Sequence, residues 1–214
     1  MSFLEDYSDL ELYRITHIQN LPYILKLGKI TAFTHQNADP DFIGIGDDSL
    51  KENRKQRLIE QPPYGSFSDY IAFYFGTRSP MLYNIQNGYL GVKKRGPEEI
   101  IYLVSSFGKI KTARLNFVFF DGHANHSLTE CFKEEKDFSN LDWESIHAKY
   151  WADTEAEPDR KRKKQAEFLV YKEMPIDTIT EIGVYSDSSK TAILKFLEKQ
   201  DLQFKIILHK DWYY

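Results

Sequence analysis

Alternation opens the readable part of the chain. Tyr13, Ile15 and His17 interleave with Arg14, Thr16 and Ile18, the period of two that sends successive strand side chains to opposite faces. This predicts a strand with His17 on one face. Asn20 then offers a cap, Pro22 falls in the first turn, Leu21, Ile24 and Leu25 are apolar, and Gly28 stands where a helix stops, so a short helix follows. Residues 34–46, rich in Asn, Asp, Pro and Gly, predict a loop. Residues 50–59 are helical in composition but strongly charged, and two prolines and a glycine break the pattern over 61–68.

Residues 70–75 form the clearest strand, with Tyr74 on the face opposite Phe73 and Phe75. Further strands are predicted at 99–105, 116–120, 167–171 and 179–185, and a last one where Leu202, Phe204, Ile206 and Leu208 alternate. Asp121-Gly122 marks a turn. The polar stretch 123–162 is long enough for a functional loop holding a helix or two. Ser188 reads as the cap of a helix whose Ala192, Ile193, Phe196 and Leu197 form one apolar stripe. No repeat or low-complexity linker interrupts the chain, so residues 1–214 read as one domain. Short strands mixed irregularly with helices imply an α+β fold on antiparallel sheet.

Composition narrows the class. A single cysteine, Cys131, excludes an internal disulfide and any cysteine metal cluster. No apolar run approaches the roughly 20 residues of a membrane span, and the acidic start from Met1 to Asp9 is no secretory signal, which points to the cytoplasm. The net charge of -4 argues against indiscriminate coating of nucleic acid. Basic clusters nevertheless occur at 51–57, 93–95 and 160–164, and such clusters can steer a polyanion. Each one alone is equally explained as a solvated face.

The standard motifs are absent: no phosphate loop, dinucleotide fingerprint, zinc pattern or nucleophile elbow. Four polar residues stand out from their surroundings. His17 interrupts an apolar strand, Arg54 lies in a basic helix, His123 follows a strand and tight turn, and Glu167 begins an apolar strand. Each has an ordinary explanation as a satisfied core histidine, a solvated cation, a loop residue or an exposed carboxylate. Motifs alone therefore reach only a soluble α+β domain.

Taken together and in order, these residues resemble the DarT family, the toxin half of the DarT–DarG toxin–antitoxin pair. The resemblance runs from about Leu12 to Tyr213. It rests on Tyr13 to Pro22, on Ile45-Gly46 followed by Arg54, on Asp69-Tyr70 with Phe73 to Phe75, and on Ser79 to Leu82. It continues through Phe117 to Phe119 into Asp121 to Ala124, then Gln165 to Glu167, and ends at Trp212-Tyr213.

The resemblance implies an ADP-ribosyltransferase-like fold, two small antiparallel sheets around an NAD cleft with flanking helices. The activity implied is transfer of ADP-ribose from NAD to a base of single-stranded DNA, thymine in the better-known branch and guanine in another. NAD is then a co-substrate, no metal is expected, and a DarG-type antitoxin with a macrodomain is the implied partner. Residue by residue, it places His17, Ile18, Gln19, Gly46, Leu50, Arg54 and Tyr74 around NAD, with Tyr74 where a ring stacks on nicotinamide. Arg54 and Glu167 are the implied catalytic pair, and Met81, His123, Arg160 and Arg162 lie toward the DNA. Cleavage of the nicotinamide–ribose bond builds positive charge on the ribose, as in glycoside hydrolysis. A carboxylate such as Glu167 stabilises that charge best in a dry cleft, and an arginine such as Arg54 suits the pyrophosphate. Two alternatives share the fold: a transferase acting on RNA or protein, and a non-catalytic nucleotide-binding module.

Overall fold

The computed structural model describes residues 6–47, 54–198 and 204–214. In chain order its strands are β1 (Glu11–His17), β2 (Lys29–Thr31), β3 (Tyr70–Tyr74), β4 (Ile100–Ser106) and β5 (Phe117–Phe120). They continue with β6 (Cys131–Phe132), β7 (Glu167–Tyr171), β8 (Glu173–Pro175), β9 (Glu181–Val184) and β10 (Lys205–Leu208). The large sheet has the order β10-β9-β4-β1-β3-β7-β5-β6, and β2 pairs with β8 in a small antiparallel sheet.

The large sheet is nearly two. β1 pairs with β4 along its whole length, from Glu11↔Ser106 to His17↔Ile100, and β3 pairs with β7 from Tyr70↔Tyr171 to Tyr74↔Glu167. Between these ladders β1 and β3 share one register pair, Tyr13↔Tyr74. Just past it, Arg14 Nη1 donates to the main-chain oxygen of Ala72 at 2.9 Å, so a side chain stands where the ladder stops. Two four-stranded halves thus meet at a point and diverge, which is the expected pair of small sheets around a cleft. The pairing is antiparallel except for β9 and β10, which run parallel because a helix carries the chain from one to the other.

One face of the sheet carries a core continuous across both halves, including Leu12, Ile71, Phe73, Leu103, Phe119 and Phe168. The opposite face is divided. Ile15, Ile100, Tyr102 and Val104 pack with Leu82, Ile85 and Tyr213 on one half, while Tyr70, Val118, Phe120 and Leu169 pack with Ile59 and Phe67 on the other. At ~1.5–3 kcal/mol per fully buried large apolar side chain, each half is held by its own packing and the boundary between them is left for chemistry.

The helices are α1 (Leu21–Leu27), α2 (Pro80–Asn87), α3 (Phe107–Thr112), α4 (Trp143–His147), α5 (Arg160–Lys163) and α6 (Asp187–Leu197). Gly28 ends α1 in the left-handed region, φ 70°, as a C-cap glycine should. Asn20 holds the cap position of α1 but makes no side-chain cap bond. Its amide instead donates to Thr16 Oγ1 and to the Ile43 carbonyl, both at 3.0 Å, and accepts from the Ile43 N–H at 2.9 Å. That laces the loop of residues 32–47 to the end of β1. Helix α6 is capped by Ser186, whose Oγ accepts from the Ser189 N–H at 3.3 Å, and not by Ser188, which already lies inside the helix. Of the helix anticipated over 50–59, residues 54–56 are helical and 50–53 lie outside the described residues.

Candidate active site

Glu167 is the first residue of β7 and only 3% exposed, although a carboxylate at a strand start ordinarily faces water. Its register neighbours are Tyr74 on one side and Phe120 on the other, which sets it beside the point where the halves meet. Burying a carboxylate is costly unless it is paired and hydrogen-bonded. Both conditions are met: Arg54 Nη1 donates to Oε2 at 3.0 Å, and the Ala124 N–H donates to Oε1 at 3.3 Å. Arg54 is itself positioned over the ring of Phe67, 5.4 Å from its centroid.

Tyr74 shares this junction. Its hydroxyl donates to Met81 Sδ at 3.6 Å, and burial together with the charge of Glu167 raises its pKa. A Cβ placed on Gly46 would sit 3.7 Å from the same sulfur, so Gly46, Tyr74 and Met81 converge. His17 ends β1, is 6% exposed, and accepts the Gln19 N–H on Nδ1 at 3.2 Å. The proton therefore sits on Nε2, which donates to Glu99 Oε1 at 3.4 Å. Ile18 is buried behind it and Gln19 is exposed. His17 lies four residues, roughly 13 Å along the strand, from the Tyr13 that touches Tyr74. His17 therefore stands along one arm of the split whose vertex holds Glu167. Leu50 lies outside the described residues.

After β5 the chain turns through Asp121-Gly122-His123-Ala124 beside Glu167. His123 is within electrostatic reach of Glu167. Burial lowers its pKa, against the raising influence of that carboxylate, and Nδ1 accepts the Asn125 N–H at 3.3 Å. A neutral ring with the proton on Nε2 results. Arg162 is 9% exposed and spends its whole guanidinium locally: Nε and Nη2 on Asp159 at 2.7–2.9 Å, Nη1 on Asp121 at 3.0 Å and Thr129 Oγ1 at 3.2 Å. Its carbonyl accepts the His123 N–H at 2.9 Å. Gly122 is required here, because a Cβ would stand 2.5 Å from Arg162 Nη1 and 3.0 Å from its main-chain oxygen. Arg160 pairs with Glu157 and donates to the Tyr150 carbonyl at 3.3 Å. The structure thus gathers Arg54, Glu167, Tyr74, Gly46, Met81 and His123 at the vertex, with His17 along one arm. Arg160 and Arg162 brace the loop beside it.

A buried carboxylate held by an arginine in a split sheet suits stabilisation of positive charge on a ribose. A family model described as "ssDNA thymidine ADP-ribosyltransferase, DarT" matches residues 13–214. The chain belongs to the DarT family. It is 42% identical over 208 residues, 95% of each chain, to a DNA ADP-ribosyl transferase of Thermus sp. strain 2.9. The fold matches that of Thermus sp. 2.9 DarT in complex with ADP-ribosylated ssDNA, with a TM-score of 0.89 and 40% identity, covering 99% of this chain and 100% of that one. It also matches Thermus sp. 2.9 DarT in complex with NAD+, with a TM-score of 0.86, 38% identity and the same coverage. Over 165 residues, 75% of this chain and 38% of the relative, it is 30% identical to a DNA ADP-ribosyl transferase–DNA ADP-ribosyl glycohydrolase fusion protein of Thermosipho africanus.

Four contributors to the site escaped the sequence: the Ala124 N–H, the Phe67 ring, Glu99 and Arg14. A main-chain donor has no sequence signature. Arg14 sits on a polar position of an alternating strand, where solvent exposure is the ordinary expectation. Among the described residues no helix is long and apolar enough to cross a membrane, and no group of three or more His, Cys, Asp or Glu is arranged to hold a metal.

Proposed function

We propose that this chain is a toxin enzyme that transfers ADP-ribose from NAD to thymine in single-stranded DNA and releases nicotinamide. The observation that carries the reading is the buried Glu167 carboxylate held by Arg54 at the point where the two halves of the sheet meet. As the nicotinamide–ribose bond breaks, the nicotinamide nitrogen keeps the bonding electrons and positive charge develops on the ribose. Glu167 lies in a site dry enough for its negative charge to count heavily against that charge. A nitrogen of the base then bonds to the ribose carbon and loses its proton to the Glu167 carboxylate, with Arg54 holding that carboxylate in place. Tyr74 supplies a flat ring for nicotinamide. His17, with Ile18 and Gln19 beside it, lines the ribose, and Gly46 lies beside NAD.

On the acceptor side, Met81 and His123 meet the base, and Arg160 and Arg162 act through the shape of the loop they brace and through their charge. The whole of residues 1–214 acts as one catalytic domain, a reading supported by the single sheet running through both halves. The cytoplasm, which holds both NAD and DNA, is its place of action. A DarG-type macrodomain antitoxin is its partner, and the Thermosipho fusion of transferase with glycohydrolase supports that pairing. Mass spectrometry of oligonucleotides of defined sequence, after incubation with protein and NAD, tests the proposal. A mass gain of one ADP-ribose on thymine-containing single strands is expected. Labelling confined to RNA or to protein would overturn it.

A further inference from the structure

Arg54 was the arginine expected at the pyrophosphate, yet its guanidinium is bound to the Glu167 carboxylate. A second arginine stands in the same split with different partners. Arg14 lies one residue past the Tyr13↔Tyr74 pair, where the strands part, and its Nη1 spans the gap to the Ala72 carbonyl. Its Nε is shielded from solvent and has no hydrogen-bond partner. Among the described residues no carboxylate lies within ion-pair distance of it. Its neighbouring charges are Arg54, which repels it, and the hydroxyl of Tyr74; burial and that repulsion bring its pKa down to about 10. The cleft beside it is lined by Tyr23, Thr31, Phe33, Asp39 and Phe42. Asp39 there turns Oδ1 to the Asp41 N–H at 2.9 Å.

An arginine half withdrawn from water, close to another arginine and bonded to one carbonyl, carries uncompensated charge. An orphaned donor in such a place is an imbalance that an anionic ligand corrects. Guanidinium suits phosphate oxygens because its donors form a planar fork. We propose that Arg14 holds the diphosphate of NAD at the bottom of the split, fixing the ribose for attack while Arg54 fixes Glu167. The assignment rests on NAD being the co-substrate.

The test is calorimetric binding of ADP-ribose, ADP and adenosine without DNA, for the unaltered protein, Arg14→Gln and Arg14→Lys. Arg14→Gln should weaken ADP-ribose and ADP at least tenfold and leave adenosine unchanged. In steady state it should raise KM for NAD without changing KM for the oligonucleotide. Arg14→Lys keeps the charge without the fork and should lose several-fold on ADP relative to adenosine; that ratio serves even if Arg14→Gln fails to fold. Equal ADP binding by all three proteins, or equal losses on ADP and adenosine, would overturn the assignment and leave the NAD reading standing. Failure of the unaltered protein to bind either ADP-ribose or NAD would overturn both.

Discussion

Arg54 and Glu167, 113 positions apart in the chain, are joined by a hydrogen bond of 3.0 Å between Nη1 and Oε2. The carboxylate is buried and the arginine partly exposed, so the pair is a surface group holding an interior one. Loss of either partner has different consequences.

Glu167→Gln keeps the volume of a side chain that is 3% exposed and should lower transfer by about 10²–10³-fold, the scale of removing one electrostatic stabiliser. NAD binding should change little. Because Glu167 is buried, Glu167→Ala would add a cavity to the loss of charge, so the isosteric change is the cleaner test. Equal initial rates of nicotinamide release by Glu167→Gln and unaltered protein would remove Glu167 from the mechanism.

Arg54→Ala leaves a buried carboxylate without its cation, and should disable transfer while also lowering stability by about 3 kcal/mol. Lys55 is exposed on the same short helical stretch, and Lys55→Ala should retain activity. Rates measured side by side decide the point; comparable losses would mean that the stretch acts only through its overall charge.

Much of this arrangement is legible in sequence. β1 falls where the period of two puts it, β3 and β7 where apolar and aromatic residues run together, and Gly28 stops α1 as written. The misses have physical causes. β2 and β8 are three residues each, too short to show a period. α2 carries its own start signal, Ser79 accepting the Leu82 N–H with Pro80 next in line, but its apolar residues are too few to display a stripe unaided. The burial of Glu167 depends on Arg54 and Ala124, contacts that no local pattern encodes.

Asp69 ties three segments together. It accepts from Thr34 Oγ1 at 2.6 Å, Lys172 Nζ at 2.7 Å and the Ser66 N–H at 2.8 Å. These bonds outweigh its desolvation and hold its pKa well below the usual carboxylate range. A depressed carboxylate stabilises the fold fully above its unfolded pKa and loses that contribution as pH falls through the folded value. Asp69→Asn should therefore cost about 1–3 kcal/mol at pH 7. The gap should close in acid, as denaturant melts at a series of pH values would show. A gap independent of pH would assign the effect to packing.

Lys164 gives a slope of the same sign for a different reason, because its burial costs stability while it carries charge. It is 4% exposed, its Nζ donates to the Ile146 carbonyl at 2.6 Å, and burial brings its pKa down to about 8. Between that value and 10.5 the unfolded chain holds the proton more tightly, so stability should rise with pH across this window. Lys164→Met, which removes the titrating group and keeps most of the volume, should flatten the rise. Identical slopes in the two proteins would contradict the assignment.

Modification should be confined to single strands. A base nitrogen engaged in pairing is reachable in a duplex only after extrusion, at a cost of a few kcal/mol. Duplex and single strand of one sequence, assayed together at two salt concentrations, should differ strongly in rate, with the single-strand rate falling as salt rises. Equal rates on the two forms would refute the acceptor model while leaving the NAD chemistry intact.

The loop between β5 and β7 is pinned at both ends of its excursion to the same few atoms. The His123 N–H meets the Arg162 carbonyl, and the Ala124 N–H meets Glu167 itself. Between 125 and 161 the edge strand β6 and the buried Phe138 and Ile146 return the chain to the sheet and core, so only the exposed stretches 126–128 and 152–156 can change without disturbing the surroundings of Glu167. Variation confined to those exposed stretches leaves the Ala124–Glu167 contact and the Arg162 brace in place, so the geometry around the buried carboxylate is insulated from most of its own neighbouring loop.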